Sequence, residues 1–167
     1  MLGPCLMCGA ECCRNHLITI TAFDLLRICA EGYRASDFAV FAPCRVTNYD
    51  NEMVLEFHDS GLAEDYLLAI RSHPCYFLEW KRCTIHKYAP SVCKAYPRNA
   101  SGKMMGKLCP GLPRLMHSAM GTHIRPEYEW EIDNYRAIVG EWNRKKGRKG
   151  ECMGFLMQRA SEELGKR

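Results

Sequence analysis

Cysteine placement constrains this chain more than any other feature. Eight of its eleven cysteines fall in two groups: Cys5, Cys8, Cys12 and Cys13 near the start, and Cys75, Cys83, Cys93 and Cys109 about 60 residues later. Two kinds of chain carry cysteine this densely, disulfide frameworks of oxidising compartments and thiolate metal sites of reducing ones. The opening Met1-Leu-Gly-Pro-Cys5 has neither a charged leader nor a long apolar stretch, so no signal peptide or lipoprotein anchor is readable and a cytoplasmic protein is expected. The odd cysteine count and the vicinal Cys12-Cys13 pair favour metal further, because adjacent cysteines bridge each other only in a strained geometry.

The spacing sharpens that reading. The first group is C-x2-C-x3-C-C, a Gly-containing loop in which Gly9 permits the tight turn that points several sulfurs inward. The second is C-x7-C-x9-C-x15-C, and a remote group of this kind closes a coordination sphere by stapling distant segments together. All eight cysteines are candidate metal ligands. Cys29 and Cys152 fall in expected helices and Cys44 follows a lone proline, so these three are assigned to core packing. His16, His73 and His86 lie near the cysteines and fit hydrogen-bonding roles around a site better than ligation.

At 167 residues, 47% apolar and 25% charged, the chain has ordinary globular composition and the length of one domain. No run approaches the roughly 18 apolar residues of a membrane-spanning helix. Charge is unevenly spread. Residues 75–125 hold nine Lys/Arg against the single acid Glu79, whereas residues 51–74 hold five acids against Arg71. Cations around a set of thiolates lower cysteine pKa values and stabilise an anionic cluster; a solvated basic face is the plainer alternative. Nucleic-acid binding has no recognisable module behind it and is not expected.

Periodicity organises the rest. Leu17–Ile20 alternates like a short strand, and Thr21 with Asp24 reads as an N-cap opening a helix over 22–31, with Gly32 as its stop. Residues 33–58 read as irregular apart from a strand over 53–57, and 62–70 reads as a short helix ended before Pro74. From Cys75 to Pro113 the chain is rich in Pro and Gly with few periodic apolar positions, so metal ligation is expected to order it. Pro126 opens a helix running to about Lys146, with Tyr128, Ile132, Tyr135, Ile138, Val139 and Trp142 as a core-facing stripe and Glu127, Glu129 and Glu131 as first-turn acids. A second helix over 151–164 completes a hairpin, and the basic turn 144–149 between them reads as a solvated loop.

These residues resemble a known family, the YkgJ-type cysteine-cluster proteins, whose domain is described as zinc- or iron-chelating. The resemblance runs from Cys5/Cys8/Cys12-Cys13 through Thr21-Ala-Phe-Asp24-Leu25 to Cys75-Tyr-Phe77-Leu78, Cys83-Thr-Ile85, Pro90-x-x-Cys93, Tyr96-Pro97 and Cys109-Pro110-Gly111. Ala89 and Lys94 stand where the family usually has Arg. A related cluster occurs in larger flagellin lysine N-methylases; this chain has no glycine-rich strand–turn–helix for an adenosyl cofactor, so that activity is not carried over.

The expected fold is therefore mainly α with irregular cysteine-rich loops, a small α+β chain. It is one metal-stapled domain in which a cysteine-cluster region, 1–125, carries a C-terminal helical hairpin, 126–167. Eight thiolates exceed one tetrahedral zinc and suit a pair of zincs, one 4Fe-4S cluster with spare cysteines, or a larger or double cluster; the basic surroundings and the absence of a histidine at zinc-finger spacing favour iron–sulfur, of the 4Fe-4S kind, over zinc. With no complete catalytic machinery, the function expected is a redox- or oxygen-responsive accessory protein acting on a protein partner. An electron-transfer component of a larger enzyme complex and a structural zinc-binding interaction module are the alternatives.

Overall fold

The computed structural model describes residues 10–44, 51–96, 98, 99, 101–103 and 125–167. After a single turn of helix α1 (Glu11–Asn15), the chain passes through an extended stretch into α2 (Ala22–Ala30). Thr21 and Asp24 close a capping box at the start of α2: each side chain accepts the other's backbone N–H, at 3.2 and 2.9 Å. Phe23, Leu25 and Ile28 turn the helix toward the core, and Gly32, at φ +93, takes the left-handed conformation beyond its end.

Residues 33–58 hold more structure than their pattern predicts. A one-turn helix α3 (Ala35–Phe38) leads directly into strand β1 (Ala39–Pro43); after a 3-10 turn at Asn51–Met53 comes β2 (Leu55–Phe57). The expected helix over 62–70 is instead β3 (Glu64–Ile70), the centre of an antiparallel sheet ordered β1-β3-β2. Leu67, Leu68, Ala69 and Ile70 are all buried, so the second half of this strand has no polar face and its apolar run carries no period of two. Leu and Ala favour helix in isolation; sheet neighbours on both edges overrode them.

The C-terminal hairpin forms as the periodicity predicts, with α5 (Tyr128–Lys145) and α6 (Lys149–Gly165), after β4 (Leu78–Glu79), β5 (Arg82–Cys83) and α4 (Ser91–Ala95). Helix α6 packs on α2 and α5 packs on β2. Two side chains of α5 complete the outer edge of β2. The Asn143 amide accepts from Glu56 N–H at 3.0 Å and donates to the Val54 carbonyl at 2.8 Å, standing in for a strand's peptide group. The fully buried Trp142 donates its indole N–H to the Glu56 carbonyl at 3.0 Å. Gly147 lies against that ring so closely that an added Cβ would sit 2.2 Å from it.

The basic turn is more than a solvated loop. Lys149 holds its ammonium 4.0 Å above the Tyr66 ring, Lys145 lies over Phe155, and the Lys149 N–H donates to Asp59 at 3.0 Å. No helix among the described residues is long and apolar enough to cross a membrane.

Candidate metal centre

The stretch before α2 explains how cysteine groups so far apart in sequence meet. Thr19 forms a bridge with Ala69 of β3, flanked by Ile20 N–H to Leu68 O at 3.0 Å and Ile70 N–H to Ile18 O at 2.9 Å. Six residues before Thr19 is Cys13, and six residues after Ala69 is Cys75. Cys13 lies in α1 and Cys75 in the turn after β3, and across that junction the Cys75 N–H donates to the Cys13 carbonyl at 2.6 Å. Arg14 adds a second tie, donating to the Trp80 carbonyl at 3.2 Å.

Beyond Cys75 the chain turns through the two-residue strands β4 and β5, which pair Leu78 with Cys83. Phe77 O accepts both the N–H and the hydroxyl of Thr84, at 2.9 and 3.2 Å, which closes the turn. Cys75 is buried and Cys83 half-buried, and neither is in a disulfide. Burial pushes both thiols up; against it, the Phe77 N–H points at the Cys75 sulfur and the Ile85 N–H at the Cys83 sulfur. The nearby Cys83 raises Cys75 further. An amide hydrogen two residues on, aimed at sulfur, stabilises thiolate over thiol, and it is the kind of contact that tunes metal-bound sulfur. Behind Cys83 stand Tyr88 and Tyr33, hydrogen-bonded to each other, with Phe77 edge-on to Tyr33 at 5.2 Å. The site therefore has one apolar wall.

Cys93 sits in the middle of α4, packed against the core. Close by is the phenol of Tyr128, whose ionisation is pushed up first by burial and then by the charges of Asp24, Cys93 and Glu131. Cys12 is half-buried on α1. Among the described residues, no three His, Cys, Asp or Glu side chains gather around one point in a ligating arrangement. Cys5, Cys8 and Cys109 lie outside the described residues, as do Gly9, Pro97, Pro110 and Gly111. The donor set at hand, buried soft sulfur with amide hydrogens directed at it, fits zinc or iron held by thiolates. His16, His73 and His86 are exposed. Cys152 is fully buried and Cys29 packs against the core, as assigned from sequence.

Sequence reasoning missed the polar lattice behind Cys93. Ser91 at the start of α4 donates its N–H to Asp24 at 2.8 Å, and its hydroxyl donates to Glu131 at 3.1 Å. Arg27 pairs with both Asp24 and Glu131 and donates to the Ser91 hydroxyl at 2.8 Å. Glu131 was counted as a first-turn acid, yet it falls in register with Tyr128, Tyr135, Ile138 and Trp142. Its place on the buried stripe was the available signal.

Residues 4–110, more than half of the chain, match the model of the CxxCxxCC family, described as "Putative zinc- or iron-chelating domain". No curated protein and no solved structure matches the chain.

Proposed function

Starting from this chain's membership of the CxxCxxCC family, we propose that it carries an iron–sulfur cluster of the 4Fe-4S kind on thiolates drawn from both cysteine groups. The cluster staples the Cys75–Cys93 stretch to the segment around Cys12 and Cys13. It makes the chain a redox- or oxygen-responsive accessory protein of the cytoplasm, where thiols stay reduced. The observation that carries this reading is the Cys75-to-Cys13 backbone hydrogen bond. It joins the two groups where buried sulfurs already receive amide hydrogens.

Eight cysteines exceed the four that a 4Fe-4S cluster needs, and the vicinal Cys12-Cys13 pair adjoins Cys75, so thiols remain to be oxidised when the cluster is lost. The partner is a protein. At the tip of the β4–β5 turn Trp80 is 93% exposed, with exposed Tyr76, Lys81 and Arg82 around it, the aromatic and basic character of an interface anchor.

The test is iron, zinc and acid-labile sulfide content, with a visible spectrum, on protein purified without oxygen. Iron with matching sulfide and a brown colour bleached by air is the expected result. Zinc without sulfide overturns the cluster and leaves a structural zinc module.

A further inference from the structure

Three elements meet behind Cys93 through buried charge as well as apolar contact. Asp24 of α2 and Glu131 of α5 are each 2% exposed, and Ser91 of α4 is 1% exposed. Asp24 is shared between two tasks. One carboxylate oxygen closes the capping box with Thr21, and the other accepts the Ser91 N–H at 2.8 Å and pairs with Arg27. Arg27 bridges across to Glu131, which in turn takes the Ser91 hydroxyl. Arg125 approaches the same Glu131 oxygen as Arg27, at 3.8 Å.

Stability alone does not account for such a lattice. Stripping water from two carboxylates costs several kcal/mol per ion, and apolar side chains of equal volume commonly hold a core as well or better. Hydrogen bonds add direction, which apolar packing lacks: they accept one placement of the donor and reject its neighbours. The element placed here is α4, five residues long and too short to persist by itself. Its first amide is held by a carboxylate from one helix and its first hydroxyl by a carboxylate from another. Two residues further on is Cys93.

We infer that Asp24, Arg27, Ser91 and Glu131 are positioning residues for metal binding: a buried clamp that holds α4 so that the Cys93 sulfur is presented to the metal. The inference rests on the reading of Cys93 as a ligand, and the experiment separates the two. Metal-free full-length chain is titrated with cobalt(II) under a competing chelator. This yields an affinity and the intensity of the sulfur-to-cobalt charge-transfer band, which reports how many thiolates each ion carries. Wild type, Ser91→Ala, Ser91→Thr and Cys93→Ser are compared.

The clamp predicts that Ser91→Ala binds cobalt roughly tenfold or more weakly, the scale for losing a residue that orients a ligand. It also predicts a band reduced to that of Cys93→Ser, and recovery of both values in Ser91→Thr, which keeps the hydroxyl. A Ser91→Ala protein that melts earlier yet keeps wild-type affinity and band overturns the inference, because the lattice is then only structural. Wild-type affinity and band in Cys93→Ser overturn the ligand reading, and the clamp's purpose falls with it. Should Ser91→Ala not fold, Glu131→Gln, which keeps shape and an acceptor oxygen, is read by the same two quantities against the same outcomes.

Discussion

Trp142 and Cys83 mark two regions of this chain that become ordered by different means. Around Trp142 the indole is fully buried and its N–H is satisfied by Glu56 O, while Asn143 completes the edge of β2 and Lys149 covers Tyr66. Around Cys83 the strands are two residues long, and Phe77 and Ile85 alone are buried between Tyr76 and Tyr88. Ordering backbone costs about 1–2 kcal/mol per residue. The helical end offsets that cost with apolar burial; the cysteine end buries less, and in the proposed reading bonds from sulfur to a metal make up the difference. The contrast teaches that one small chain can join a segment ordered by apolar burial to one whose backbone is held mostly by short turns, and under the proposed function that second segment is the one that depends on metal.

The largest effect should come from removing the metal. A strong chelator under reducing conditions should speed amide exchange across residues 75–96 on the order of a hundredfold while leaving 128–165 nearly unchanged. Equal acceleration in both segments, read by mass spectrometry, would erase the distinction. Next in size is Trp142→Ala, which empties the helical end and removes the donor to Glu56. Denaturant unfolding should show a loss of about 3–5 kcal/mol, with cobalt affinity close to wild type. Gly147→Ala presses a methyl group into the Trp142 ring and should cost about 1–3 kcal/mol in the same measurement, without touching the cysteine end.

Alkali sharpens the comparison by sign. Burial pushes the Cys152 thiol up from its ordinary 9.0, so the folded core keeps a proton that the unfolded thiol gives up. The stability from this thiol is whole below pH 9 and falls above it by up to about 1.4 kcal/mol per pH unit; Cys152→Val should remove that part of the fall. Cys75 and Cys83 are also pushed up by burial, and if they are the ligands proposed, the proton competes there with metal. Metal affinity should therefore climb as pH rises between about 6 and 9, and a flat cobalt affinity over that range would remove these thiols from the site.

Legibility in the sequence follows the same division. Helices α2, α5 and α6 repeat their apolar residues at helical spacing, and Thr21 and Gly32 mark the ends of α2, so they were readable within a few residues. Strand β3 was not, because burial on both faces leaves an apolar run with no period. Helix α3 and strand β1 were missed because a single turn leaves too short a pattern to register. At the candidate site, cysteine spacing marked eight candidate ligands, five of them among the described residues, and the motifs around them carried the resemblance to the family. The clamp behind Cys93 escaped, since Ser91 and Glu131 look ordinary until α2, α4 and α5 are brought together.

By itself the sequence determined which residues are candidate sulfur donors and that 22–30, 128–145 and 149–165 are helical, because those properties belong to side-chain chemistry and local periodicity. Tertiary structure alone decided that Thr19 pairs with Ala69, that the Cys75 N–H meets the Cys13 carbonyl, and that two carboxylates are buried around Ser91. Register between strands and the partners of buried charges are set by contacts across tens of residues, where local propensity carries no information.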